Sequence, residues 1–275
     1  MNITGKTGLV LGASRGIGLA IARTLALHGA RLALPWFDWP ESSAAMTEEF
    51  GGEAGTHLPL QVDLRQPEDV AHLMHMISQK LGGLDILINN IERGGMPVVH
   101  GGYQREVNRD QWQLEMETTL HAKWLVFEQA LPLLRQSPEA TVVILSSIAG
   151  MIGRSGPAGL LFNDGYAAAN RGVSSLTETW AKIGAPTIRV NEIMLGLIDY
   201  RHGRGTRGWQ LLTQKEQQAL LDHTLLQRTG TPEEVAQAVL FLVRDADFLT
   251  GSVLRMDGGY VLGGERPPDM PGGVL

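Results

Sequence analysis

The chain has 275 residues, 43% of them hydrophobic, and a mean hydropathy of -0.03, which fits one large globular domain with a full core. A formal net charge of -6 excludes the broad basic field that nucleic acid or an anionic membrane would need. With no cysteine there are neither disulfides nor thiolate metal ligands, as expected in a reducing compartment.

The amino terminus, MNITGKTGLVLGASRG, runs into an apolar stretch without a signal-peptide core or cleavage site. No apolar run approaches the roughly 18 residues of a membrane span, so a cytoplasmic protein is expected. Strand TGLVL is followed by helix GLAIARTLALHG, then by strands ARLAL and LPLQVD and helix DVAHLMHMISQKLG. Strand LDILINN precedes one long helical pattern, WQLEMETTLHAKWLVFEQALPLL, and strand ATVVILSS precedes helix YAAANRGVSSLTETWAKIG. Strand TIRVNEIM, helix PEEVAQAVLFLVRD and strand SVLRMD complete the alternation. Short strands joined by helices of a dozen residues require βαβ crossovers, so the expected fold is α/β, a doubly wound parallel sheet of Rossmann type.

A single domain over residues 1–264 is expected, with an irregular tail over 265–275. Two segments break the rhythm after strand ends, Gly150 to Gly165 and about 199–227. Open α/β sheets bind ligands at that edge, so the second segment is read as a substrate lid. It carries Arg201, His202, Arg204 and Arg207, cations that suit an anionic substrate such as a carboxylate, a phosphate or an acyl-CoA. The eight histidines are scattered, with no metal-ligand spacing.

Gly12-Ala-Ser-Arg-Gly16-Ile-Gly18 leaves the first strand and leads straight into a helix. Glycines at this spacing let the backbone approach a pyrophosphate, which the helix N-terminus favours through its unpaired N–H groups. At the end of the second strand Trp36 stands where a ribose-binding carboxylate is sought, with Asp38 two residues on. Arg15 can meet a 2′-phosphate, which leans the reading toward NADP(H) over NAD(H).

From Lys6 to about Leu262 the chain resembles the short-chain dehydrogenase/reductase family. The resemblance is carried by GASRGIG, VDL (Val62 to Leu64), NN (Asn89 and Asn90), SSIAG (Ser146 to Gly150), YAAAN (Tyr166 to Asn170), IRVNEI, RTGTPEEVAQAVLFL and TGSVLRMDGGY. It implies hydride transfer between NAD(P)(H) and a carbonyl or alcohol, and a homodimer or homotetramer built partly on the helices starting near Trp112 and Tyr166. It also implies cofactor contacts from Gly12, Ser14, Arg15, Gly16, Ile17, Gly18, Asp38, Asp63, Leu64 and Asn90. Ser147 matches the family serine that polarises the carbonyl, and Tyr166 matches the tyrosine acid. The family lysine falls at Asn170 and the family asparagine at Thr119, while the family NNAG reads Asn89-Asn90-Ile91-Glu92.

Three readings follow from these departures. A reductase can work without the lysine, because a neutral phenol can donate a proton to a developing alkoxide. A dinucleotide-fold protein can instead serve as a catalytically impaired ligand-binding or regulatory subunit. Glu92 can act as a new acid or base, set against the plainer reading of a surface glutamate. Lys123, one turn after Thr119, and Arg171, next to Asn170, are the cations to weigh; Lys123 is expected to be solvated or at an interface, and Arg171 to point away from Asn170.

Overall fold

Runs rich in leucine, isoleucine and valine form strands buried on both faces, and the helices between them supply the cover. The computed structural model describes residues 1–52, 56–92, 110–199, 209–265 and 267–269. In chain order the elements are β1 (Thr7–Val10), α1 (Gly16–Leu27), β2 (Arg31–Trp36), α2 (Pro40–Gly51), β3 (His57–Gln61), α3 (Pro67–Leu81) and β4 (Ile86–Asn89). There follow α4 (Gln111–Glu115), a π-helical turn (Met116–His121), α5 (Ala122–Leu134), β5 (Ala140–Ser147), α6 (Ala149–Ile152), α7 (Asp164–Gly184) and β6 (Ile188–Leu195). The last elements are α8 (Gln214–His223), α9 (Pro232–Arg244) and β7 (Val253–Met256).

The seven strands form one parallel sheet in the order β3-β2-β1-β4-β5-β6-β7, the doubly wound fold expected. One face packs on α1, α2 and α9 through Ile21, Leu25, Met46, Val235 and Val239. The other packs on α3, α5 and α7 through Leu73, Ile77, Phe127, Val173 and Trp180. The chain reverses direction across the sheet between β1 and β4, and the crevice at their carboxyl ends is where such sheets bind ligands. A smaller apolar cluster, including Leu161, Met194, Leu212, Leu220 and Tyr260, sits where α8 meets the segment after α6.

Two local features depart from the sequence reading. Pro40 opens a helix, α2, in a stretch to which the sequence reading assigned no element, because proline suits the first helical turn. The helical pattern from Trp112 is broken by the π turn, whose extra residue rotates the helix between α4 and α5. The lid segment contains α8, while residues 200–208 and most of the tail lie outside the described residues. Among the described residues no helix is long and apolar enough to cross a membrane.

Candidate active site

The cradle after β1 is made by backbone alone. Gly12 has φ +67, and a Cβ there would stand 2.4 Å from the Asn90 carbonyl oxygen. A Cβ on Gly18 would stand 2.1 Å from the Gly12 carbonyl oxygen, so α1 can start this close to the turn only without a side chain. The Asn90 amide donates to the Leu11 carbonyl at 3.3 Å and holds the end of β4 against the loop. This cradle fits a dinucleotide phosphate, which would meet the N–H groups of the first turn of α1.

A cavity of about 440 Å³ opens from this cradle along the carboxyl ends of the strands. Of the cofactor residues expected from sequence, Gly12, Ser14, Arg15, Ile17, Gly18, Asp38, Asp63, Leu64 and Asn90 line it; Gly16 is buried in the turn. From the end of β2 onward the wall is aromatic: Trp36, Phe37 and Trp39. Trp39 holds a left-handed backbone, φ 62 and ψ 64, unusual for a bulky residue and costing about 1–3 kcal/mol. The Arg15 guanidinium stacks 3.4 Å from its ring centroid, a contact worth about 0.5–2 kcal/mol. Arg65 forks onto Asp63 at 2.8 and 2.6 Å, which raises the arginine pKa, and its guanidinium lies 5.3 Å from the Phe37 ring centroid.

Ser147 and Tyr166 line the other end of the cavity. Ser147 ends β5, level with Leu195 of β6, and its Oγ accepts from the Ala149 N–H at 3.1 Å. Tyr166 stands in the first turn of α7, where the Asn163 side chain caps the helix by accepting from the Tyr166 N–H at 2.7 Å. Its hydroxyl donates to Glu92 Oε1 at 2.9 Å.

Asn170 and Thr119 do not line the cavity; both are fully buried. The Asn170 amide donates back to the Tyr166 carbonyl at 3.0 Å, and its Oδ1 has no hydrogen-bond partner. Thr119 faces inward, its hydroxyl donating to Glu115 Oε2 at 3.4 Å, and the π turn brings Thr118 to the cavity wall. Close packing fixes this inner layer, since a Cβ on Gly150 would meet the Asn170 backbone at 2.7 Å.

Two expectations are corrected. Lys123 is neither solvated nor at a surface: it is 1% exposed, and its ammonium donates to the Ile91 carbonyl at 2.5 Å. Glu92 is not a surface glutamate, since it is half-buried, lines the cavity and receives the Tyr166 hydroxyl. Its position two residues after the NN pair at the end of β4 was the sequence signal. Arg171 is exposed, and Arg201, His202, Arg204 and Arg207 lie outside the described residues. Among the described residues no three His, Asp or Glu side chains come together as metal ligands.

A family model described as enoyl-(acyl carrier protein) reductase matches residues 12–261. A 3-oxoacyl-acyl-carrier-protein reductase of Vibrio cholerae is 30% identical, the match spanning 95% of this chain and all of that protein. One from Thermotoga maritima is 29% identical over 95% of this chain and its own full length. A D-beta-hydroxybutyrate dehydrogenase of Rhizobium meliloti is 30% identical, covering 93% of this chain and 98% of the relative. In fold the chain is similar to the crystal structure of a short-chain dehydrogenase/reductase, glucose/ribitol dehydrogenase, from Brucella melitensis. The TM-score is 0.79 at 24% identity, over 94% of this chain and 98% of that one.

Proposed function

The chain belongs to the short-chain dehydrogenase/reductase family, and on that premise we propose that it is a reductase of the 3-oxo group of an acyl thioester. One observation carries this reading: Ser147 and Tyr166 share a single cavity with an intact glycine cradle. A ligand held by its phosphates at Gly12 to Gly18 can extend along the strand ends to both hydroxyls. The activities for which the relatives are named, on 3-oxoacyl carriers and on hydroxybutyrate, support the substrate class.

When bound, NAD(P)H supplies the hydride. Around it the chain has distinct tasks. Backbone N–H groups at the start of α1 hold the pyrophosphate, and Asp63, Leu64 and Asn90 flank the adenine side. Ser147 donates to the carbonyl oxygen and polarises it; Tyr166 gives its proton to that oxygen as it becomes an alkoxide. A phenol within reach of the alkoxide is worth about 10²- to 10⁴-fold in rate. Asn170 and Thr119 act from behind, holding the Tyr166 turn and the π turn.

NADPH is the favoured form. Arg15, fixed by Trp39, offers a guanidinium to a 2′-phosphate, and no carboxylate stands at Trp36 to receive a ribose hydroxyl. The anionic substrate reading rests on the cations of the 199–227 lid, and self-association on the α4 to α5 helix pair, where Trp112 and Trp124 are 40% and 41% exposed.

The test is a titration of the purified protein with NADPH and with NADH, followed by tryptophan quenching, then NADPH oxidation in the presence of acetoacetyl-CoA. Micromolar NADPH binding with oxidation that depends on acetoacetyl-CoA is the expected result. Absence of binding for both dinucleotides would overturn the reading and restore the regulatory or binding-subunit alternative.

A further inference from the structure

Resting on the reductase reading above, we propose that Glu92 and Lys123 replace the lysine that this chain lacks: Glu92 exchanges a proton with the Tyr166 hydroxyl, and Lys123 positions that carboxylate and offsets its charge. Glu92 is then a catalytic residue, since it touches a reacting group, and Lys123 a positioning residue. Neither position carries this work in the family pattern.

The geometry links them in series. The Tyr166 hydroxyl donates to Glu92 at 2.9 Å, and Lys123 grips the carbonyl of Ile91, the residue before Glu92. The first turn of α5 is tied to the end of β4 a second time, because the Asn89 amide donates to the Lys123 carbonyl at 3.0 Å. A fully buried ammonium is costly, and burial lowers the Lys123 pKa to about 8 against the pull of Glu92 and Glu192. Those two carboxylates act on it from the loop after β4 and from β6. Glu192 is held by the hydroxyls of Ser146, Ser174 and Thr177. Glu115, on α4, receives Asn163 and Thr119. Glu92 is therefore the carboxylate that meets the cavity-facing phenol.

When Tyr166 protonates the alkoxide, its O–H bond breaks and a phenolate remains. A new O–H bond forms there with a proton passed from water through Glu92, which ends the cycle as the carboxylate it began as. One solvent proton is consumed per carbonyl reduced. A carboxylate alone would oppose the phenolate, and the nearby ammonium offsets that repulsion, so the two residues work as a pair.

The experiment has two readouts: the pH profile of kcat with acetoacetyl-CoA, and the titration of the Tyr166 ¹³Cζ resonance without cofactor, assigned with Tyr166→Phe. Glu92→Gln should move the Tyr166 midpoint down, because a negative neighbour is gone, and Lys123→Met should move it up. Each should lower kcat about tenfold or more with NADPH affinity unchanged. Lys123→Met should also remove a fall in kcat that the parent shows as pH rises through about 8, while Lys123→Arg retains part of the rate. A Tyr166 midpoint unmoved by Glu92→Gln, or a kcat profile unmoved by both substitutions, would overturn the proposal. Glu92 is half-buried, so Glu92→Gln decides the matter even if Lys123→Met does not fold. A parent that reduces no carbonyl defeats the reductase reading alone, since the resonance titration still judges the coupling of Tyr166, Glu92 and Lys123.

Discussion

Removing the Tyr166 hydroxyl deletes the proposed proton donor and one hydrogen bond to Glu92. Tyr166→Phe should lower kcat about 10²- to 10⁴-fold, measured by NADPH oxidation. It should shift stability by only about 0.5–1.5 kcal/mol in denaturant titrations, the net contribution of one such bond. Gly18→Ala acts at the opposite end of the cavity. Its Cβ has no room against the Gly12 carbonyl oxygen 2.1 Å away, so α1 must pull back from the turn. NADPH binding should weaken by at least about tenfold in a fluorescence titration, since the N–H groups proposed to hold the pyrophosphate move with the helix. Motif spacing pointed to the Tyr166 and Gly18 positions. Lys123 escaped because a lysine in a helical pattern is as readily an exposed charge as a buried one, and its burial is set by packing between α5 and the end of β4.

At the scale of elements, α7 is the part that aims the site. Its cap is Asn163, whose side chain holds the Tyr166 N–H, so the tyrosine is fixed by the start of its own helix. Asn163→Ala should cost about 1 kcal/mol of stability in denaturant unfolding. It should also lower kcat more than NADPH affinity, because the cradle lies on a different element. The π turn between α4 and α5 has the second positioning role. Within it Thr119 is fully buried, while Thr118 lines the cavity with its hydroxyl donating to the Leu114 carbonyl at 2.7 Å. Periodicity across Trp112 to Leu134 reads as one helix because a single extra residue leaves the apolar pattern almost unchanged.

Over the whole molecule, the buried lysine makes stability depend on pH. The folded pKa of Lys123, about 8, lies below the ordinary lysine value of 10.5, so between these values the unfolded chain binds more protons than the folded one. Stability from this residue therefore rises as pH increases through about 8 and levels off above the unfolded pKa. The Tm of the parent minus that of Lys123→Met should increase from pH 7 toward pH 10, and a constant difference would contradict the buried charge. Self-association belongs to the same scale. Trp124→Glu on the exposed face of α5 should lower the mass measured by light scattering, and an unchanged mass would remove that face from the proposed self-association.

The sequence by itself determined the strand and helix alternation, the doubly wound sheet and the glycine cradle, because each rests on local spacing or periodicity, and the family resemblance added Ser147 and Tyr166. Only the tertiary structure decided how Asn170, Thr119, Glu92 and Lys123 are used. Asn170 and Thr119 turn into the protein, while Glu92 and Lys123, 31 positions apart in the numbering, meet around one backbone carbonyl and one phenol. That meeting depends on α5 packing against the end of β4, and that contact is not written in the residues that meet.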